Sequence, residues 1–328
     1  MTDQTAILVA GGAGYIGSQT CKALKAAGFL PVTLDNLSTG HEQAVKFGPF
    51  VQGDLRDHDL VQATVAKYGI KGALHFAAYS LVGESVRDPA KYYGNNVGAA
   101  NAFASALIGA GVEAFVFSST AATYGTPTTS PIPEDHATVP INPYGASKLA
   151  FEGALRWLGE AHPFRWTALR YFNAAGADLD GEVGESHDPE THLIPNLCKA
   201  ALGTGPALTV FGRDYPTPDG TPIRDYIHVA DLAEAHVLAI RRLMSGGDSG
   251  IFNVGTGEGA TVMQIIAAAE AVLGVKVPYS VGPRRGGDPP SLVADASKLK
   301  AAFGWSAKHS DLETIIRTAA QWQRVRPY

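Results

Sequence analysis

Tyr144 and Lys148 stand four residues apart in "NPYGASKLAFEG", directly behind Asn142 and Pro143. Asparagine is a good N-cap and proline a good first helical residue, so a helix is predicted from 143 onward. Tyr144 and Lys148 then fall one turn apart on the same face. An unperturbed phenol holds its proton to a pKa of about 10, and lowering that by ~3 units requires roughly 4 kcal/mol. One ammonium about 6 Å away supplies roughly 2.8 kcal/mol at an effective dielectric of 20. A base at neutral pH therefore needs a second positive charge nearby. The spacing alone fits a surface tyrosine and a solvated lysine equally well. Its placement favours chemistry, because the helix follows "SSTAATYG" at the end of an expected central strand. Ligands of open parallel sheets bind at that edge.

The missing charge has a source near the N-terminus. "ILVAGGAGYIGS" sets Gly11, Gly14 and Gly17 between the first strand and the first helix. The first glycine allows a tight turn, the second a close backbone approach to a pyrophosphate, and the third helix-on-strand packing. "VTLDNLS" ends the second strand with Asp35, near the offset of ~20 residues expected for a ribose-binding carboxylate. Such a carboxylate accepts from a 2′-hydroxyl and repels a 2′-phosphate, which selects NAD over NADP. An oxidised nicotinamide supplies the second charge, so Tyr144 is expected to ionise more easily with NAD+ than with NADH. "QGDLRD" puts Asp54 after the third strand. It reads equally as an acceptor for an adenine amino group or as a turn residue.

The elements that position these residues alternate. Residues 5–10, 31–35, 73–78, 114–119 and 166–172 read as buried strands, and 14–28, 57–69, 89–111 and 143–162 as helices between them. The alternation predicts an α/β fold, a Rossmann-type doubly wound parallel sheet with right-handed crossovers. Gly, Pro and Asp crowd 173–191 and 203–223, a sign of loops closing over a ligand. Helix 192–203, strand 224–229, helix 230–245, strand 250–254, helix 261–273 and a helix near 310–323 follow. The expected organisation is a dinucleotide-binding domain of 1–172 plus roughly 224–246, and a smaller α/β substrate-binding lobe of 173–223 plus 247–328. Stretch 97–110, "VGAANAFASALIGA", is apolar nearly all round, so both its sides should be covered. One cover is the sheet. The other is a second subunit in a homodimer, the favoured reading, or the smaller lobe.

Composition limits the classes. Apolar residues form 45% of the 328 and charged residues 17%, which suits a compact enzyme-like chain. The formal charge of -5, without a basic block, gives no reason to expect nucleic acid. Cys21 and Cys198 sit in no CxxC or Cys/His cluster and read as core. The N-terminal apolar run is too short for a signal peptide, and no stretch approaches the ~18 apolar residues of a membrane span. A cytoplasmic protein without a membrane partner is expected.

The motifs "GGAGYIGS", "LDNLS", "HFAAYSLVGESV", "YYGNNV", "FSSTAATYG", "NPYGASK", "LRYFNAAGA", "THLIP", "DYPTPDGTPIRDYIHV", "NVGTG" and "PRRGGDP" run nearly end to end. Through them the chain resembles the extended short-chain dehydrogenase/reductase superfamily and, more narrowly, the UDP-glucose 4-epimerase family. The resemblance implies Tyr144 as acid/base, Lys148 as its electrostatic partner and a ribose contact, and Thr120, where many members have serine, as a substrate hydroxyl contact. Implied NAD contacts are Gly11, Gly12, Gly14, Tyr15, Ile16, Gly17, Asp35, Asn36, Asp54, Leu55, Phe76, Ala77, Ala78, Asn95, Tyr144, Lys148 and Phe172. Ser80 replaces a lysine of some members. Implied UDP-sugar contacts are Thr120, Tyr144, Asn173, His192, Leu193, Phe211, Arg224, Arg285, Asp288 and Leu292. Arg224 and Arg285 suit a diphosphate, Asp288 a ribose hydroxyl and Phe211 a uracil. The aligned position of Leu292 helps set room for an N-acetyl group, and leucine is intermediate in size. His192 has no metal-ligand companion in the sequence pattern and "DPETH" reads as loop, so no metal is expected. The implied reaction oxidises and re-reduces C4 of a UDP-hexose through a 4-keto sugar. Its competitors are an NAD-dependent sugar-nucleotide 4,6-dehydratase and a non-catalytic NAD-binding protein. Ala121 and Ala122 stand where resembling dehydratases carry Asp-Glu, and a non-catalytic protein has no need of Tyr144 and Lys148.

Overall fold

The apolar runs form β1 (Ala6–Ala10), β2 (Leu30–Asp35), β4 (Gly72–His75), β5 (Ala114–Thr120) and β6 (Arg165–Tyr171), joined by a short β3 (Phe50–Gln52). A computed structural model describes residues 4–286 and 288–328. With Gly250–Val254 these strands make one seven-stranded parallel sheet, in the spatial order Gly250–Val254, β6, β5, β4, β1, β2, β3. From β1 the chain winds outward first through β2 and β3, then through β4, β5 and β6. The direction of winding reverses between β1 and β4, and a crevice opens there at the carboxyl ends of the strands.

Side chains alternate along each strand and supply two cores. Ile7, Val9, Leu74 and Val116 face α1 (Tyr15–Ala26) and the helix Val229–Met244, packing with Leu24, Leu232 and Ile240. Leu8, Phe115 and Phe117 face the other way. They meet Val61 of α2 (His58–Tyr68) and Phe103 and Leu107 further along. The predicted helix 89–111 is in fact α4 (Pro89–Tyr93), a wider π-helical turn (Gly94–Ala99) and α5 (Ala100–Gly109), preceded by α3 (Val82–Arg87). Asn101, Ser105 and Gly109 of α5 are exposed while Phe103 and Leu107 are buried. The side of the helix that carries these residues is open in the single chain, without the cover expected of a second subunit. Helix α6 (Pro143–Ala161) completes the second layer, burying Phe151 and Leu155.

A third core, around Leu197, Ile265 and Ile316, lies among the helices Leu193–Ala201, Val262–Leu273 and Leu312–Val325. The expected strand 224–229 is two pieces divided at Asp225. Ile223–Arg224 lies between Ala260–Thr261 and Ser291–Leu292, whereas Tyr226–His228 pairs with Asn173–Ala175. Leu208–Phe211, inside a stretch read as loop, pairs with Tyr279–Gly282. Gly250–Val254, which the sequence reading placed in the smaller lobe, lies in register beside β6 as a strand of the main sheet. Among the described residues, no helix is long and apolar enough to cross a membrane. Both cysteines are buried and free.

Candidate active site

A cleft of about 430 Å³ opens at the carboxyl ends of β1, β4 and β5. Its floor is the turn into α1. Gly11 adopts φ +78°, and a Cβ there would stand 2.5 Å from the Ala77 nitrogen. A Cβ on Gly17 would stand 2.1 Å from the Gly11 carbonyl oxygen, so only glycine lets the helix start this close to the strand. Gly14 caps α1 without offering a side chain, which leaves the first amides of the helix to an incoming anion. Asp35 closes one end, its carboxylate accepting from the Ala13 N–H at 3.0 Å and the Leu37 N–H at 2.8 Å. Burial raises its pKa and the two amides counter this. The glycine cradle, the uncapped helix start and the carboxylate together fit a dinucleotide.

Gly11, Gly14, Tyr15, Ile16, Gly17, Asp35, Asn36, Asp54, Leu55, Phe76, Ala77, Ala78, Asn95, Phe172 and Ser80 all line this cleft. Gly12 does not: it packs against Thr33, whose side-chain atoms would lie 2.9 Å from an added Cβ. Asp54 is gripped by Arg56, with Nε to Oδ1 at 2.8 Å and Nη2 to Oδ2 at 2.7 Å, which holds its carboxyl well below the usual range. The π-helical turn directs Asn95 to the cleft, where its Nδ2 donates to the Ala77 carbonyl at 3.4 Å.

Asn142 caps α6 by accepting from the Gly145 N–H at 2.8 Å, and Pro143 begins the helix. Tyr144 and Lys148 are both buried and both line the cleft, as does Thr120 at the end of β5. Burial raises the Tyr144 pKa, and the Thr120 hydroxyl beside it works against that rise. Burial pushes Lys148 down to about 7, opposed by Glu152. The ammonium donates to the Ser118 carbonyl at 2.8 Å and lies over the Phe117 ring at 4.8 Å. In the chain alone, then, desolvation outweighs the charge on which the sequence argument relied. Ala121 and Ala122, which follow Thr120 into a short turn, line the cleft without any proton-transferring group.

Asn173, His192, Leu193 and Leu292 also line the cleft. Phe211, Arg224, Arg285 and Asp288 form a neighbouring group outside its lining. Leu292 pairs in register with Arg224, so that arginine stands one strand away. Asp225 anchors this strand: its buried carboxylate accepts from the Thr256 N–H and hydroxyl and from the Gly257 and Ala294 N–H groups at 2.7 to 3.1 Å. Arg224 pairs with Asp288 and donates to the Ile223 carbonyl at 2.7 Å, while the Arg285 guanidinium covers the Phe211 ring at 4.1 Å. In the chain alone each arginine is held by a neighbour expected to serve the same ligand.

Sequence reasoning missed part of the wall. His41 lies against Tyr328, with ring centroids 5.0 Å apart, and both border the cleft. It also missed that Glu185, His187 and Glu190 gather at His192, which corrects the view of that histidine as solitary. Burial disfavours both charged imidazoles, but the carboxylates hold His187 up at about 9 and His192 at about 10. The signal was present in "GESHDPETH", where two glutamates and two histidines fall within nine residues.

A parallel sheet with its crevice at the β1/β4 reversal, a glycine cradle and a ribose-type carboxylate define a Rossmann-like dinucleotide-binding protein. Residues 7–255 match the model of the NAD dependent epimerase/dehydratase family, and the chain belongs to that family. It is 48% identical to the UDP-glucose 4-epimerase of Lacticaseibacillus casei over 98% of this chain and 97% of that one. It is 50% identical to that of Rhizobium meliloti, over 98% and 97% respectively. The crystal structure of UDP-glucose 4-epimerase from Brucella ovis in complex with NAD shares a TM-score of 0.95 and 50% identity, covering 97% of this chain and 98% of that one. A Stenotrophomonas maltophila UDP-glucose-4-epimerase with bound NAD and formylated UDP-arabinopyranose superimposes at a TM-score of 0.96 and 40% identity, covering 99% of both chains.

Proposed function

We propose that this chain is an NAD-dependent enzyme that inverts C4 of a UDP-hexose, interconverting UDP-glucose and UDP-galactose. The observation that carries the reading is the burial of Tyr144, Lys148 and Thr120 in one cleft with the dinucleotide cradle, in a chain so closely similar to UDP-glucose 4-epimerases. NAD, when bound, supplies reversible two-electron oxidation of the sugar carbon. Asp35 would accept from the adenosine ribose, and the first amides of α1 would receive the pyrophosphate. Lys148 would contact the second ribose, and its charge with that of an oxidised ring would offset the burial that raises Tyr144. Tyr144 then takes the proton from O4 and returns it after the sugar has turned, while Thr120 holds the same hydroxyl.

The substrate end follows from this. Arg224 and Arg285 leave Asp288 and Phe211 for the diphosphate, Phe211 is freed for the uracil, and Asp288 accepts from its ribose. Asn173, His192, Leu193 and Leu292 border the sugar with few charges, so the hexose is free to turn. The dinucleotide domain comprises 1–172 with 224–254, and the remainder forms the smaller UDP-sugar lobe. A homodimer is proposed at the exposed Val86, Tyr93 and Trp157 of α3, α4 and α6, in a cytoplasmic setting. Ala121 and Ala122 favour epimerisation over dehydration. Incubation with UDP-galactose tests the reading: UDP-glucose is the expected product, and a 4-keto-6-deoxy sugar or unchanged substrate overturns it.

A further inference from the structure

We propose that Glu185, His187, Glu190 and His192 form a binding site for one divalent transition-metal ion of the zinc class. Each residue offers a donor atom, and the four atoms lie within 4.8 Å of one another. The separations resolved between imidazole Nδ1 and carboxylate oxygens are 2.8, 2.9, 3.1 and 3.8 Å. They bracket the edge of roughly 3.4 Å of a zinc tetrahedron with bonds of ~2.1 Å, so small side-chain movements suffice. Two imidazoles and two carboxylates are a nitrogen and oxygen set that suits zinc and its neighbours.

The burial of the acids sharpens the case. The side chains of Glu185 and Glu190 are only 5% and 4% exposed, whereas those of His187 and His192 are 30% and 43% exposed. Two adjacent buried carboxylates need positive charge beside them, which the two histidines provide in the chain alone and a divalent ion would provide in their place. Among the described residues no lysine or arginine pairs with either, and the histidines are their sole ionic partners. A divalent ion balances two carboxylates with both imidazoles neutral, the form in which histidine ligates metal. One acid is already oriented: Glu190 Oε1 accepts from the Thr191 and His192 N–H groups, both at 2.8 Å.

The site has a structural consequence. Its ligands span the loop between the strand Asn173–Ala175 and the helix Leu193–Ala201, and Glu185, His187 and His192 line the cleft. A bound ion would tie that wall together at the helix start.

The test uses full-length protein without a histidine tag, stripped with chelator and free of nucleotide sugar, so that no diphosphate brings the metal. Calorimetric titration with zinc chloride should show one ion per chain and a raised melting temperature. Cobalt(II) should give the intense visible bands of a four- or five-coordinate ion. His187→Gln and Glu190→Gln, each checked for native circular dichroism, should weaken zinc by at least roughly tenfold. The paired substitution should abolish the cobalt spectrum. Wild type that binds zinc no more tightly than the paired variant, or a cobalt spectrum of the hexaaqua type, overturns the proposal and leaves a buried histidine–glutamate ion-pair cluster.

Discussion

The cleft and the neighbouring group beyond its lining, the two ends of the proposed site, are built on different principles. At the cofactor end the shape is made by backbone: the Gly11 turn, the uncapped start of α1 and Asp35 braced by two amides, all set on strand ends. At the end proposed for the nucleotide sugar, beyond the cleft's lining, it is made by side chains from separated segments, Arg224 paired with Asp288 and Arg285 over Phe211 in the chain alone. The first end is preorganised and can keep its ligand through turnover. If the second takes the nucleotide sugar as proposed, it must exchange internal partners for ligand, which lowers net affinity but lets substrate and product leave.

Substitutions at the two ends should therefore fail in different ways. The largest effect is expected at the junction. Tyr144→Phe should lower turnover by about 10²- to 10⁴-fold while the protein retains NAD and binds UDP. Turnover near the wild-type rate would remove Tyr144 from the acid/base role. Arg224→Ala should raise the KM for UDP-galactose by roughly 10- to 100-fold, the cost of one charge-assisted bond, without changing the amount of NAD that copurifies. Loss of NAD together with substrate affinity would mean that the ends are not independent.

Leu292→Tyr sharpens the comparison within the substrate end. If Leu292 borders the 2-substituent of the sugar, the ratio of turnover on UDP-N-acetylglucosamine to that on UDP-glucose should fall roughly tenfold. An unchanged ratio would place the acetyl group elsewhere.

The last effect concerns stability without cofactor. Lys148 titrates at about 7 in the folded chain because it is buried, and near ~10.4 when unfolded. Between these values the unfolded state holds the extra proton, so stability rises with pH. Wild type should gain on Lys148→Met by up to about 1.4 kcal/mol per pH unit across that window. Equal pH profiles from chemical denaturation would show Lys148 to be hydrated.

The same contrast explains what was legible in the sequence. β1, β2, β4, β5 and β6, and the helices that follow them, announce themselves because each buries a continuous local run. The glycine turn, Asp35, Tyr144 and Lys148 are tied to these elements, so their meeting in one cleft could be anticipated. Leu208–Phe211 could not, because Gly and Pro crowd its surroundings and its pairing partner, Tyr279–Gly282, lies far along the chain. Helix Ser297–Phe303 was missed as well, being short and without a side-chain cap. The pairing of Arg224 with Asp288 and the gathering at His192 depend on tertiary placement of loops, which periodicity does not encode.

The late arrival of Gly250–Val254 beside β6 has a bearing on synthesis. A nascent chain that has emerged only as far as β6 presents that strand as a bare sheet edge, open to pairing with another polypeptide. The edge stays open while the ribosome adds the next 78 residues, from Phe172 to Ser249 in the chain order, before its own partner can seal it.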